Sequence, residues 1–474
     1  MNILEAKKIE SENFREAIKR WPRFFESQTF IDDQKTLEKY GISIPKKKGL
    51  PLGYLKLWPQ DFIVEEISLG GEVENVFPEK FLSTKKDFNR EDPVIYATLV
   101  KCGLSTIEVA EELTKRLNLE PKSIKYAGIK DKHAITSQRV SIKGTDVEKL
   151  NLVSSPNFFV KNVFSGEKET YRGALRGNQF TILIRIGPNF DQKKFLEQLK
   201  EIKKNGFYNF IYLQRFGVPR LITHYCGFYL LQGDYEKALF TYLFKPGQRE
   251  LFYFQNLRKE MEQLWGRWEE IEALLECFPL TFQNEIKIVS YLKENPKDYI
   301  GALKRISKQL ELQVESVASF LYNKKLSSYL AKNEKPPEML PLILGIERKN
   351  WLFYEELLKK CGIFSVSFAL KNLEDLDLLK HRQRGIKTIE KVEILNFKVF
   401  PQGVILNFNL AKGCYATSFL SHLFNLVSGS FPKKFSNLPI DTKANLNQPS
   451  LEEILNKFSD VVSSPSWRYL WRIY

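Results

Sequence analysis

The chain has 474 residues, 43% of them hydrophobic, with 36 Phe, 20 Tyr and 7 Trp, so it can build sizeable cores over roughly three domains. Lys and Arg number 72 against 57 Asp and Glu, a formal charge of +15 and a pI near 9.2; this favours a polyanionic partner, since each phosphate contact releases counterions, although acidic lipids or solubility alone would also account for it. No apolar run approaches the roughly 20 residues that span a bilayer, the N-terminus lacks the apolar core of a signal peptide, and the five cysteines and four histidines are scattered without a CxxC pair. The expectation is a reduced, cytoplasmic protein with no membrane span, no metal site and no disulfide framework.

In chain order, residues 1–50 are charged, end in Lys46-Lys47-Lys48-Gly49, and read as a helical or loose N-terminal extension. From Leu52 to about Ile67 the pattern turns strand-like, with Phe62, Val64 and Glu66 alternating against Ile63, Glu65 and Ile67. Residues 93–100 predict a strand. Ser105 with Glu108 predicts a capping box, and Val109, Ala110, Leu113 and Leu117 share a helical face. Short strands are expected at 124–127 and 134–142. They leave Gly128 to His133 as a charged loop between sheet elements, where scaffolds commonly carry active residues. A further strand is expected at 179–186, and Asp191 predicts the cap of a helix with Phe195, Leu196, Leu199 and Ile202 on one face, stopped by Asn205-Gly206.

After about residue 210 the texture changes. Leu257, Met261, Leu264, Trp265, Trp268, Ile271 and Leu275 recur at helical spacing, and helical sequence continues through 301–332 and 351–360, broken at Pro336-Pro337. Residues 391–400 and 403–410 predict a hairpin across Pro401-Gln402-Gly403. The expected architecture is α+β: a mixed domain interrupted by a largely helical insertion at about 211–390, without internal repeats.

The chemistry concentrates in the segment Lys125 to Gln138, a glycine-initiated loop that presents Asp131 between Lys130 and Lys132. Nearby cations would hold such a carboxylate ionised, fit to act as nucleophile or base at an anomeric carbon. Taken alone, the same residues also describe a surface turn with a solvated charge run.

Five segments together resemble the TruD family of pseudouridine synthases. They are Gly128, Lys130, Asp131, Lys132, Ala134, Thr136 and Gln138; Lys56 with Asp61, Phe62, Val64 and Glu66; Gly177, Asn178, Phe180 and Thr181; Asn209 with Gln214 to Gly217; and Leu410 to Thr417. Tyr212 stands where the family usually has Gly, Ala411 where it has Pro, and Leu420-Ser421-His422 replaces the usual Leu/Val-Arg-Glu stretch. These departures bear on local packing and substrate fit and leave the Asp131 loop untouched.

The resemblance implies a pseudouridine-synthase catalytic domain on a mixed, mainly antiparallel sheet, in two parts at 51–210 and 391–432. Between them lies a TRUD insertion at 211–390, with extensions at 1–50 and 433–474. It implies a monomeric, cofactor-free enzyme acting on tRNA with no obligate protein partner, its usual target being the D-arm uridine at tRNA position 13. Asp131 would be the catalytic carboxylate, as nucleophile or base. Asn178 would hydrogen-bond the target nucleotide, Phe180 would shape the pocket floor, and Phe62 and Tyr415 would contact substrate. Lys56 and Lys130 are candidates for pairing with Asp131 or with phosphate, and His133 supports the loop without a catalytic role. Lys380, His381, Arg382, Arg384 and Lys387 form a plausible phosphate-contacting strip, or equally a solvated helix end. Other readings stand beside this one: the same chemistry on another uridine or another RNA, an RNA-folding chaperone that keeps the scaffold without needing catalysis, and a glycosidase using Glu65 or Glu66 as a second acid.

Overall fold

The computed structural model describes residues 3–26, 28–78, 94–151, 153, 155–343, 345–379 and 384–463. They cluster into two compact units, one built from residues 50–207 with the described residues 391–463, the other from residues up to 49 with 208–390.

The first unit is a mixed sheet. Its strands are β1 (Leu52–Tyr54), β2 (Phe62–Ile67), β3 (Val94–Lys101), β4 (Ile124–Tyr126), β5 (Ile135–Ile142), β6 (Phe158–Gly166), β7 (Gly177–Ile186), β8 (Glu393–Phe400), β9 (Gly403–Ala411) and β10 (Asn425–Gly429). The order β10-β1-β7-β2-β5-β3-β6 is extended by β9 on β7, β8 on β9 and β4 on β5. Only β10–β1 and β2–β5 are parallel among these pairs. The β8–β9 hairpin forms with Phe400 opposite Gly403. β6 and β10 are strands that the sequence pattern did not announce, and Pro93, expected to open β3, lies outside the described residues.

Because successive residues of a strand face opposite sides, the sheet has two distinct surfaces. On one, Ile95, Ala97 and Leu99 of β3 and Val140 and Ile142 of β5 pack on Val109 and Leu113 of helix α1 (Thr106–Arg116). Ser105 caps α1 and Glu108 closes the box, as its sequence spacing predicts. Helix α2 (Gln192–Asn205) starts at the Asp191 cap and ends at Gly206. Its buried face is narrower than expected, since Phe195, Leu199 and Ile202 are buried while Leu196 is exposed.

On the opposite surface, Ile63, Val100, Ile135 and Phe159 pack against Leu451, Ile454 and Phe458, around helix α3 (Glu452–Lys457). Two buried ion pairs tie the same late segment down. Lys443 meets Glu65 at 2.6 Å. Arg185, fully buried, grips Asp61 with two hydrogen bonds of 2.8 and 2.9 Å and donates to the carbonyls of Ser436 and Leu438. The described part of the stretch after residue 432 is therefore core material of this unit.

The second unit is mainly helical. Helix Ser307–Ala331 packs on Thr223–Gln232, which also packs on Tyr235–Phe244. The stretch 257–275 is divided between Phe252–Gln263 and Trp268–Glu276, with Gly266 at φ +87° in the break. The N-terminal helix Ile3–Arg20 belongs to this unit: Glu10 accepts from the backbone amides of Leu280 and Thr281. Asn323 donates to the carbonyls of Tyr40 and Ile211. Of the basic strip, Lys380, His381 and Arg382 lie outside the described residues, and Arg384–Lys387 is a strand antiparallel to Met339–Leu342 rather than a helix end. No helix among the described residues is long and apolar enough to cross a membrane.

Removing one partner of a buried, hydrogen-bonded ion pair strands the other charge. Asp61→Ala should therefore lower the unfolding free energy of the sheet unit by about 3–5 kcal/mol. Urea titration followed by circular dichroism measures this, and a midpoint equal to wild type would show that Arg185 finds another partner.

Candidate active site

The loop between β4 and β5 is fixed by buried polar side chains beneath its backbone. Lys101, at the end of β3, is fully buried. Its Nζ donates to the carbonyls of Asp131 at 2.7 Å, Leu104 at 2.9 Å and Lys130 at 3.4 Å. A buried ammonium is tolerated when its protons are matched by acceptors. Burial pulls its pKa down to about 8, with Asp131 working the other way, so it keeps its proton at neutral pH. Thr106 accepts from the Lys130 amide at 2.9 Å and donates to Gln138 at 2.8 Å, and Gln138 in turn donates to the Gly128 carbonyl. Lys132 pairs with Glu108 of α1 at 2.8 Å.

This scaffold turns the Asp131 side chain outward, 44% exposed, with Lys56 Nζ 2.5 Å from Oδ1. Lys56 sits at φ +59°, in the left-handed region that a non-glycine residue rarely adopts. The turn that carries it is anchored by Asp61, which accepts from the Trp58 amide while gripping Arg185. The Lys56 ammonium also lies 4.1 Å from the centroid of the Phe62 ring. Desolvation disfavours the charged form of Asp131, but Lys56, by charge and hydrogen bond, and Lys101 outweigh it and hold the carboxyl below its ordinary value. Burial, with Lys56 and Lys132 nearby, lowers His133 to about 4, so its imidazole is neutral near pH 7.

A second polar group is set by strand register. β2 and β7 place Glu66 opposite Asn178 and Val64 opposite Phe180, on the face that carries Phe62. Lys130 reaches between the first pair, 2.7 Å from Glu66 and 2.8 Å from Asn178 Oδ1. Lys130 thus pairs with Glu66 and Asn178 rather than with the Asp131 carboxylate. Phe62 and Phe180 are almost wholly buried, their centroids 6.2 Å apart, and Phe180 stacks on Phe408 at 5.3 Å. Tyr415 is half-buried at the start of the short helix Ala416–Leu420. Lys56, Phe62, Lys130, Asn178 and Phe180 therefore form a connected set of contacts with the Asp131 loop, and Tyr415 stands apart from that set among the described contacts.

Lys101, Thr106 and Arg185 support this arrangement and were not singled out from the sequence. In sequence Lys101 and Arg185 are single basic residues within or closing apolar strands, and a charge in a strand otherwise built for burial is the signal that was available. Of the two candidate second acids, Glu65 faces the other surface of the sheet, bound to Lys443, and Glu66 is buried against Lys130.

Residues 45–340, more than half of the chain, match the family model described as tRNA pseudouridine synthase D (TruD). A Methanococcus vannielii protein named "Probable tRNA pseudouridine synthase D" is 29% identical over 388 residues, covering 77% of this chain and 93% of that protein. One of the same name from Archaeoglobus fulgidus is 32% identical over 293 residues, covering 61% of this chain and 66% of that protein. A crystal structure described as "the Putative tRNA pseudouridine synthase D (TruD) from Methanosarcina mazei" superposes with a TM-score of 0.58 at 22% identity, over 82% of this chain and 97% of that one, and shows the shared fold. The chain belongs to the TruD family of pseudouridine synthases.

Proposed function

We propose that this protein isomerises one uridine of a folded tRNA to pseudouridine, the D-arm uridine at position 13, with Asp131 acting on the ribose. The observation that carries the reading is an outward-facing carboxylate, 44% exposed, ion-paired to Lys56 on a loop that buried side chains hold in place. In the reaction the C1′–N1 bond breaks, the uracil turns, a C1′–C5 bond forms, and the C5 proton is lost while N1 regains one. Substrate and product are isomers, so the atoms balance without a second substrate or a redox partner. Asp131 serves either as the nucleophile at C1′ or as the base that deprotonates the ribose. The target base must leave the RNA stack to reach it; the buried rings of Phe180 and Phe62 form the floor beneath the extruded nucleotide, half-buried Tyr415 offers it apolar surface, and Asn178 is its polar reader.

In this reading the sheet unit, including the described stretch after residue 432, is the catalytic domain and residues 208–390 are the insertion, and the enzyme works as a monomer in the cytoplasm without an obligate protein partner. The chain's charge of +15 suits a polyphosphate substrate read through shape and backbone.

Carbodiimide mapping of pseudouridine in tRNA from cells lacking the protein tests the target. Position 13 should lose its pseudouridine and regain it on complementation. A pseudouridine lost at another site instead would move the target, and an unchanged map would favour the RNA-chaperone reading or a target other than tRNA.

The pH profile follows from the site's charges. A carboxyl lowered by Lys56 stays ionised well below neutrality, His133 at about 4 stays neutral, and Lys101 loses its proton only near 8. Single-turnover rates should therefore be flat between about pH 5 and 7 and fall on the alkaline side as Lys101 deprotonates. An inflection near the ordinary imidazole value of about 6.5 would assign the proton transfer to a histidine instead.

A further inference from the structure

The geometry points to Asn178 as a fixed hydrogen-bond donor that reads a carbonyl oxygen of the extruded uracil, with the buried Lys130–Glu66 pair as the positioning device that sets its polarity. This rests on the proposed pseudouridine synthase activity and adds what the amide recognises and what aims it.

An asparagine amide has one accepting and one donating end, and either can face a substrate. The choice is often a matter of assignment, but here chemistry makes it. Lys130 Nζ lies 2.8 Å from the Asn178 amide oxygen, and an ammonium offers donors only. The oxygen must therefore face Lys130 and the Nδ2 protons must face away. Among the described residues no protein group accepts from Nδ2, and Asn178 is only half-buried.

Lys130 cannot drift from this duty. Its side chain is 5% exposed, it is held by Glu66 at 2.7 Å, and its backbone amide donates to Thr106. Glu66 is fixed in turn, because it sits opposite Asn178 in the β2–β7 ladder and accepts from the Arg139 amide. Asn178 is thus anchored at its backbone by strand pairing and at its side chain by a charge-assisted bond. Preorganised donors of this kind bind without reorganisation when the substrate arrives. A donor selects an acceptor, and uracil offers carbonyl oxygens at C2 and C4, whereas cytosine carries an amino group at C4.

The test uses full-length protein and synthetic tRNAs in which the modified uridine is replaced by 2-thiouridine or 4-thiouridine, sulfur being a weaker acceptor. Single-turnover rates are read by nuclease digestion and chromatographic separation of the C-nucleoside. Wild type should lose about tenfold in rate with one of the two thio substrates, the value of one hydrogen bond, and which one identifies the carbonyl. In Lys130→Met the amide is free to turn, so the penalty should shrink to within about threefold, while tRNA affinity changes little and the rate on uridine falls. Lys130→Arg, still donor-only, should retain the discrimination. Should Lys130→Met fold poorly because Glu66 is left buried alone, Lys130→Met combined with Glu66→Gln removes both charges and carries the same expectation. Equal wild-type rates on all three tRNAs, or an undiminished penalty in the Lys130 variants, would overturn the assignment. Failure of wild type to convert uridine itself would instead sink the pseudouridine synthase reading on which it stands.

Discussion

A single buried ammonium, that of Lys101, is the constraint from which the site follows. A charge taken out of water persists only where its protons meet acceptors, and here the acceptors are the carbonyls of Lys130 and Asp131 in the loop and of Leu104 just before α1. Those bonds leave the backbone around Asp131 one conformation. Thr106 and Gln138 close the same loop from the helix and from the next strand. The consequence is geometric: the Asp131 side chain turns outward toward Lys56, while its neighbour Lys130 turns inward to Glu66 and Asn178.

Three lysines thus do three different things within one small region. Lys101 neutralises carbonyl dipoles, Lys56 keeps a carboxylate charged, and Lys130 orients an amide. None is interchangeable with the others, because each faces a partner of different chemistry. The opposite surface of the sheet repeats the strategy for stability: Lys443 and Arg185 meet Glu65 and Asp61 there, and the segment after residue 432 supplies the apolar cover. In β2 the two strategies alternate residue by residue, Glu65 serving the cover and Glu66 the site.

What was legible in the sequence is what depends on near neighbours. The Ser105–Glu108 box, the Asp191 cap, the β8–β9 hairpin and the alternation of β2 all carry local periodicity or spacing. Residues alone left the Asp131 loop undecided between a site and a solvated turn; five spaced resemblances supplied the family. The partners that position the site were not legible. Arg185 is 124 residues from Asp61 and Lys443 is 378 from Glu65, and no window on the chain brings such pairs together. Leu196 was misread for a related reason: helical spacing marks a broad apolar face, but the packing surface under α2 decides how much of it is buried. Lys130 was narrowed only by strand register, which places Asn178 and Glu66 side by side.

In the proposed reaction Asp131 carries out the chemistry. Forming the C1′–C5 bond expels the hydrogen at uridine C5, so a tRNA transcript labelled with tritium at that carbon reports the step as release into water. Purified wild type should release the label, and Asp131→Asn should bind the same tRNA yet release it at least about a thousandfold more slowly. Release by Asp131→Asn at the wild-type rate would contradict the account.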